Sequence, residues 1–393
     1  MRVLVTNGET RPALAITRSL GRRGDEVIVA AERHPSLASA SRYCAGREFA
    51  PSPARGSDAF VTAIAEIATR RRTQLLLPVT EIATTLVAEN RAWLPPACLL
   101  PLPEIASLRA ANDKSRVLAL ATDLGVPVPA TVAIASAAAL PGGAELRFPL
   151  VIKPARSRVM AASDWLSASV DYAADRAELA FKLDRLAPEL YPVLLQERII
   201  GPGIGVFACC RHGEAIAMFS HRRLREKPPA GGVSVLCESI ALDPAAADGA
   251  KRLLAALHWH GVAMVEFKRD DRDGILRLME INGRFWGSLQ LAIDAGVDFP
   301  ALLAGMAEDS PATAQQGYRI GARSRWFLGD LDALIATLFH GAERLQLPPG
   351  HPGRLRALWR FLAISPRRQR SEVLRLSDPK PGLVELWQWL GGG

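Results

Sequence analysis

Residues 278–288 read LMEINGRFWGS, an apolar strand-like stretch that polar side chains interrupt at regular intervals. Side chains alternate between the two faces of a β-strand. Glu280 and Asn282 therefore point to the same side, and Arg284 lies close by if the extended backbone continues. A strand face that carries these three side chains is not hydrophobic core, so the pattern indicates a functional surface.

A second apolar strand precedes this one, and the DRDG sequence at 271–274 predicts a tight turn between them. The resulting hairpin brings Glu266 opposite Glu280, with Asn282 nearby. Two buried carboxylates are unfavourable neighbours unless cations or hydrogen-bond donors neutralise them. An all-oxygen ligand set of this kind suits Mg²⁺, and no His or Cys spacing indicates a zinc site.

The composition is that of an ordinary globular protein with 393 residues, 49% hydrophobic and 22% charged, enough for two or three domains. The formal net charge of +8 is compatible with nucleic acid, an acidic membrane surface or anionic small molecules as partners, and it does not choose among them. No run of about 18 apolar residues occurs, so we expect no transmembrane segment.

The five cysteines are scattered without any CxxC spacing, and we recognise no signal peptide. These features favour a reduced, cytoplasmic setting without structural disulfides.

The first 32 residues predict a strand, a glycine-containing turn, an amphipathic helix and a second strand. This βαβ order is typical of a parallel sheet. The turn TNGET at 6–10 lacks the GxGxxG spacing of a dinucleotide fingerprint. Farther along, Thr80 and Glu81 follow a buried strand, where open α/β sheets usually place ligands. Helix capping by Thr80 and a first-turn acid in Glu81 are the structural alternative.

Two basic features stand out in the middle of the chain. Lys153 ends the apolar strand RFPLVIKP, where a lysine is well placed to meet an anion. Residues 221–234, HRRLREKPPAGGVS, are predicted as a basic loop rich in glycine and proline. Such a loop is either a mobile surface segment or one that closes over phosphates.

Five motifs occur in the order and at about the separations seen in the ATP-grasp superfamily, and the chain most resembles its carbamoyl-phosphate-synthase-like and carboxylate–amine ligase branches. The motifs are NDKSR with Lys114, FPLVIKP with Lys153, QERIIGPG at 196–203, MVEFK with Glu266, and EINGR at 280–284. The resemblance covers roughly residues 111–303.

The resemblance implies an α/β fold with four parts. We expect a Rossmann-like pre-ATP-grasp domain at 1–110, a smaller ATP-grasp lobe at 111–195, a catalytic lobe at 196–305, and a helical, basic C-terminal region at 306–393.

The resemblance also implies an ATP site. Lys114 and Lys153 would hold the nucleotide phosphates. Gln196 to Ile199 would link the two lobes, and the adenine would be read by the Glu197 carbonyl and the Ile199 amide.

The same resemblance implies a metal site. Glu266, Glu280 and Asn282 would bind two Mg²⁺ ions, or Mn²⁺, between the β- and γ-phosphates. Arg284 would lie close to the transferred phosphoryl group, and with Lys153 it forms the predicted catalytic pair.

Two positions depart from the family pattern. Gly203 stands where many members carry a carboxylate for the ribose, and the loop 154–164 after Lys153 lacks the glycines usual for a flap over the phosphates. Either the two arginines of that loop or the segment at Gly231 and Gly232 would then provide the closing role.

The implied activity is a ligase that uses ATP to convert a substrate carboxylate to an acyl phosphate, which an amine or similar nucleophile attacks, with release of ADP and phosphate. The alternative is a non-catalytic ATP-binding regulator or assembly protein. The tail at 353–376 mixes Arg with Trp and Leu, which suits either an anionic membrane interface or packing on its own domain. No nucleic-acid partner is expected, and the sequence does not indicate an oligomeric state.

Overall fold

The computed structural model describes residues 1–140, 142, 146–161, 164–167, 170–229, 231–308, 317–341, 345, 347, 352–363 and 368–391. Parts of the loop after Lys153, of the segment at Gly231 and of the C-terminal region lie outside these residues.

The N-terminal part is a parallel sheet flanked by helices. Its elements are β1 (Arg2–Val5), α1 (Arg11–Arg23), β2 (Glu26–Ala31), β3 (Gly46–Phe49), α2 (Ser57–Arg70), β4 (Leu75–Leu77), α3 (Glu81–Glu89) and α4 (Ile105–Ala111). The strand order is β3-β2-β1-β4, all parallel. Thr10 caps α1, and Gly24 ends it in the left-handed region with φ 96°. The βαβ prediction is confirmed.

A smaller sheet follows, with the antiparallel order β5-β10-β6-β9. The elements of this part of the chain are α5 (Lys114–Asp123), β5 (Thr131–Ile134), β6 (Leu150–Pro154), the separate hairpin β7 (Arg158–Ala161) and β8 (Asp164–Ser167), β9 (Asp171–Ala173), α6 (Arg176–Leu183) and β10 (Val193–Glu197). Its own small core of buried aliphatic residues packs α6 against the sheet.

The largest sheet has seven strands in the order β15-β14-β11-β12-β13-β16-β17. The elements of this part of the chain are β11 (Gly203–Arg211), β12 (Glu214–Lys227), β13 (Val233–Ser239), α7 (Pro244–Ala256), β14 (Gly261–Arg269), β15 (Leu276–Asn282), α8 (Leu289–Ala295), α9 (Phe299–Ala307), β16 (Arg323–Arg325), α10 (Phe327–Phe339), α11 (Arg354–Leu362), β17 (Gln369–Ser371) and α12 (Lys380–Leu390). Cys209 and Cys210 fill the cores on its two faces, and all five cysteines are free, as expected.

The prediction of a loop at 221–234 is wrong for its first half, because β12 continues to Lys227. The strand tolerates this charged run because its arginines are paired. Arg222 contacts Glu238, and Arg225 contacts Asp330. In the described part of the C-terminal region there are three helices, in agreement with the helical prediction, and also the two short strands β16 and β17, which extend the large sheet.

Among the described residues, no single helix has the length and hydropathy of a membrane span. One pair, Leu289–Ala295 with Phe299–Ala307, meets these criteria only when joined across an 86° bend.

A buried charge network ties the C-terminal segment to the N-terminal sheet. The Arg18 side chain donates to the Asp378 carboxylate at 2.8 Å and to the backbone carbonyls of Glu372 and Val373. Asp378 also accepts from the Ser41 hydroxyl and the Arg42 amide. The carboxylate therefore satisfies donors from two distant parts of the chain.

We expect Asp378→Asn to lower the free energy of unfolding by about 3–5 kcal/mol, because it leaves the Arg18 charge buried without its counter-ion. Urea denaturation measures the loss. The matched control is Glu89→Gln, which breaks the exposed pair with Arg109 and should cost about 1 kcal/mol or less. Equal losses in the two variants would contradict this role for the network.

Candidate functional site

The structure brings the three polar side chains of the predicted hairpin together. Glu266 on β14 pairs in register with Glu280 on β15, and Met264 pairs with Asn282. The Asn282 amide donates to a Glu280 carboxylate oxygen at 2.8 Å. The Arg284 guanidinium donates to the Asn282 carbonyl oxygen at 3.1 Å. The hairpin therefore presents two carboxylates, an amide and a guanidinium on one face.

Two lysines approach this face from other elements. Lys114 begins α5, which Asp113 caps, and its Nζ lies 3.5 Å from Glu280 Oε2 while donating to Ser157 Oγ at 2.5 Å. Lys153 is the penultimate residue of β6 and is buried. Burial raises the pKa of Glu280, but Lys114, the Asn282 hydrogen bond and Lys153 together lower this pKa to about 2. Glu280 is therefore a carboxylate at neutral pH.

For Lys153, in contrast to Glu280, the effect of burial on the pKa outweighs the effect of the neighbouring charges. Burial lowers the pKa of its ammonium group to about 8, although the nearby Glu280 charge opposes the change. A lysine with this pKa is poised to gain a proton when additional negative charge enters the site.

Arg223 is a site residue that the sequence analysis missed. Its guanidinium forms a short ion pair with Glu266 and contacts Glu226 at 2.8 Å. Burial raises the pKa of Glu266, and the Arg223 charge opposes that shift. Because Arg223 lies two positions after His221 on β12, the alternation of a strand would have placed both on one face, but the segment was interpreted as a loop.

The segment that links the two sheets packs closely at its start. The Gln196 side chain is buried and donates to Thr131 Oγ1 at 2.8 Å, and the Glu197 amide donates to the Ala130 carbonyl. Lys268 Nζ donates to the Ile199 carbonyl at 3.4 Å. Adenine recognition by Glu197 and Ile199 stays a prediction.

The remaining candidates from the sequence are Thr80, Glu81 and Gly203, and they lie in different environments. The Thr80 hydroxyl accepts from the Ala83 amide and so caps α3. Glu81 lies beside a small pocket that Lys114, Glu280 and Arg284 also line. Gly203 opens β11, and a methyl group added there would lie 3.6 Å from Arg223 Cδ, an ordinary contact.

One cleft of about 530 Å³ is lined by all the residues predicted to hold ATP, metal or the transferred phosphoryl group. It lies between the small sheet and the large sheet. Its lining includes the nine predicted residues Lys114, Lys153, Gln196, Glu197, Ile199, Glu266, Glu280, Asn282 and Arg284. It also includes Arg223, Met264, Lys268, Met279 and Trp286, which sequence reasoning did not select. The two methionines offer apolar surface beside the charged groups.

The donor set fits a hard divalent cation that has additional ligands. Among the described residues, no group of three or more His, Cys, Asp or Glu side chains could hold a metal ion. Glu266 and Glu280 instead supply two carboxylates on adjacent strands, with the Asn282 amide beside them. Mg²⁺ typically binds through one or two carboxylates and completes its octahedron with phosphate oxygens and water. The residues therefore fit magnesium in company with a nucleotide.

A parallel N-terminal sheet, a small antiparallel sheet and a large, mainly antiparallel sheet, with the cleft between the last two, define an ATP-grasp fold, which the chain has. The fold that the sequence resemblance implied is thus confirmed. Residues 189–327 match the family model described as "ATP-grasp in the biosynthetic pathway with Ter operon". A search of curated proteins found no match.

Solved structures share this fold at low sequence identity. L-amino acid ligase from Bacillus licheniformis superposes with a TM-score of 0.61 and 18% identity, covering 80% of this chain and 77% of that one. N5-carboxyaminoimidazole ribonucleotide synthetase from Thermus thermophilus superposes with a TM-score of 0.58 and 17% identity. The match covers 82% of this chain and 81% of that one. Biotin carboxylase from Campylobacter jejuni, in a β,γ-ATP complex, superposes with a TM-score of 0.63 and 16% identity. The match covers 82% of this chain and 74% of that one.

Proposed function

We propose that the protein is an ATP- and Mg²⁺-dependent ligase that activates a substrate carboxylate as an acyl phosphate and joins it to an amine or similar nucleophile. One observation carries the proposal. The Glu266 and Glu280 carboxylates face each other across β14 and β15, at the cleft that Lys114 and Lys153 also line.

The cleft residues would divide the work of binding ATP and metal. Lys114 and Lys153 would hold the phosphates, and the segment Gln196 to Ile199 would hold the adenine. Glu266, Glu280 and Asn282 would hold the magnesium ions. When bound, the ions would supply charge neutralisation for the phosphate oxygens.

For Glu266 to serve as a metal ligand, its carboxylate must either bind the metal while still paired with Arg223 or break that ion pair. The Arg223 guanidinium has a second acidic partner in Glu226 at 2.8 Å, so it retains an ion pair when Glu266 turns to a cation. In the absence of metal, Arg223 neutralises Glu266 while Lys114 and Lys153 neutralise Glu280, which keeps the two neighbouring carboxylates compatible.

Phosphoryl transfer requires charge neutralisation and alignment more than covalent help from the protein. An oxygen of the substrate carboxylate would attack the γ-phosphorus, and the bond to the bridging β-phosphate oxygen would break, with ADP leaving with the electron pair. Arg284 would stabilise the charge that spreads over the transferred group. The amine nitrogen would then attack the acyl carbon, lose a proton, and expel inorganic phosphate as the C–O bond breaks.

The named activities of the structural neighbours support this proposal. One is an L-amino acid ligase and another is a ribonucleotide synthetase, and both have the fold that this chain has. The family description, which refers to a biosynthetic pathway, agrees with an enzyme that builds a small molecule.

A screen of carboxylic acids against amines, with ATP and Mg²⁺, tests the function through the nucleotide product. We expect ADP and phosphate to form only with a matching pair of substrates. Formation of AMP would contradict an acyl phosphate route. Tight ATP binding without stimulated hydrolysis by any pair would favour the non-catalytic alternative.

A further inference from the structure

Helix α11 is attached to the rest of the protein along one side. Phe361 is the one buried residue within Arg354–Leu362. Its ring lies 5.7 Å from the Phe327 ring of α10, and the Arg360 carbonyl accepts a hydrogen bond from Arg225 at 2.7 Å. Packing on its own domain, one of the two roles that the sequence allows for this segment, therefore involves a narrow strip of the helix.

Another side of α11 exposes large apolar side chains. Leu355, Trp359 and Leu362 are 78%, 74% and 58% exposed. Their spacing of four and three residues places them on one face of the helix, and Phe361 points to a different side. A helix packed on a globular domain normally turns its apolar face inward. An exposed apolar patch marks a contact site for another protein or for a membrane.

Arginines flank this apolar patch. Arg354, Arg356 and Arg360 are exposed, and none of them is paired with an acidic residue that the structure describes. Residues 353–370, which include α11, contain no Asp or Glu. A long arginine side chain can cover neighbouring apolar surface while its charged end stays in a polar environment. We call this set of residues the basic apolar face of α11: Leu355, Leu358, Trp359 and Leu362 with Arg354, Arg356 and Arg360.

The combination of charge and apolar surface decides among the possible partners. In a symmetric contact between two copies of this face, arginines would meet arginines, and the face has no acid to pair with them. A nucleic acid would pair its phosphates with the arginines but would leave Leu355, Trp359 and Leu362 without an apolar partner. A bilayer with anionic lipids accepts both parts, because its phosphates pair with arginine and its interface takes up leucine and tryptophan.

We propose that α11 binds the surface of membranes that contain anionic lipids. The basic apolar face lies on the membrane, with its leucines and Trp359 inserted among the headgroups and its arginines paired with lipid phosphates. With nine residues, α11 lies along the interface and is too short to cross a bilayer. The formal net charge of +8 adds long-range attraction to an anionic surface. This inference does not rest on the proposed ligase function.

Co-sedimentation of the intact protein with lipid vesicles measures the binding. Vesicles of phosphatidylcholine alone are compared with vesicles that contain about 40% phosphatidylglycerol, in about 0.1 M salt. We expect binding to the anionic vesicles to be roughly tenfold tighter or more, and to weaken as the salt concentration rises.

Charge reversal on α11 tests whether this helix is responsible. Arg354→Glu combined with Arg356→Glu should weaken binding to the anionic vesicles roughly tenfold or more. Both positions lie in the first turn of α11, where acidic side chains are favourable, so the helix should persist. The matched control is Arg116→Glu combined with Lys251→Glu, which makes the same change in net charge at exposed positions on α5 and α7. It should bind within about twofold of the wild type, because salt screens charges away from the contact.

Tryptophan fluorescence tests insertion separately from charge. Anionic vesicles whose acyl chains carry bromine quench those indoles that enter the membrane. We expect part of the quenching seen in the wild type to be lost in Trp359→Phe. The control Trp93→Phe changes an exposed indole outside α11 and should keep the full quenching.

Four results would overturn the proposal: no binding, equal binding to neutral and anionic vesicles, equal effects of the two charge-reversed proteins, or equal quenching in Trp359→Phe and the wild type. Self-association that Trp359→Ser abolishes, without vesicle binding, would assign the face to a second copy. Binding to a DNA duplex that the α11 charge reversal abolishes, again without vesicle binding, would assign it to nucleic acid. None of these measurements uses ATP turnover, so they stand apart from the test of the ligase function.

Discussion

Replacing Glu280 with glutamine is expected to reduce ADP formation by about 10³-fold, while ATP binding stays measurable. Removing one preorganised electrostatic group commonly costs 10²–10³-fold in rate, and Glu280 is proposed both to bind metal and to balance two lysines. Glutamine keeps the shape and the hydrogen bond with Asn282 but removes the charge. Lys114 and Lys153 remain to hold the phosphates, so binding should survive.

The measurement is ADP release under single-turnover conditions together with ATP affinity by calorimetry. Glu238→Gln is the matched control, because Glu238 is also a buried carboxylate of the large sheet but pairs with Arg222 and Arg323 outside the cleft. We expect this variant to lose stability and keep its turnover. Turnover by Glu280→Gln at the wild-type rate would remove the proposed mechanism.

The metal hairpin could be predicted from the sequence because most of its information is local. A turn of four residues joins two apolar strands, and the two-residue period of a strand decides which side chains share a face. Continued from the turn without interruption, the register would pair Glu266 with Met279. A shift between Glu266 and Phe267 pairs it with Glu280 instead, and the two-residue period does not predict that shift. The positions of Lys114 and Lys153 relative to the hairpin came from the family resemblance, since nothing in their own segments indicates the contact.

Arg223 and His221 could not be assigned because their environment is built from distant residues. A run of five basic residues within 221–227 resembles a solvated loop unless the acids that pair with them are known. Arg223 pairs with Glu266 on β14. The neighbouring cations Arg222, Arg225 and Lys227 pair with Glu238, Asp330 and Asp332, which also lie on other elements. Local charge therefore suggested exposure, whereas tertiary pairing placed the segment in the sheet.

Strand β16 illustrates the same limit more sharply. Its sequence RSR has no hydrophobic pattern, yet Arg325 is buried. The side chain donates to Asp330 at 2.6 Å and its guanidinium lies 4.3 Å above the Phe361 ring. A buried arginine in a strand depends on such partners, and these follow it in the chain by 5 and 36 residues.

Replacing Lys153 with methionine is the second change for which we expect a large effect, a loss of about 10²-fold or more in ADP formation accompanied by weaker ATP binding. Methionine fills the buried volume but removes the cation next to Glu280. The matched control is Lys251→Met on α7, because that lysine is exposed and lies outside the cleft lining. Equal ATP affinity in the two variants would contradict a phosphate-binding role for Lys153.

The lowered pKa of Lys153 also predicts how stability changes with pH in the absence of nucleotide. The folded protein releases this proton near pH 8, whereas the unfolded chain keeps it up to about 10.5. Between these values the unfolded state binds more protons, so the stability of the wild type relative to Lys153→Met should rise with pH. At about 1.4 kcal/mol for each pKa unit, the rise is at most about 3.5 kcal/mol. Urea denaturation of both proteins from pH 7 to pH 10.5 measures it.

Nucleotide should reverse this behaviour, because phosphate negative charge beside Lys153 favours the ammonium form. We therefore expect ATP binding between pH 8 and pH 9 to take up a fraction of a proton. Calorimetry in two buffers with different ionisation enthalpies measures this uptake directly. Burial also lowers the pKa of Lys268, so this lysine can contribute to the proton uptake as well. The part of the proton uptake that is lost in Lys153→Met is the part due to Lys153. Proton uptake that is unchanged in this variant would show that the phosphates do not approach Lys153.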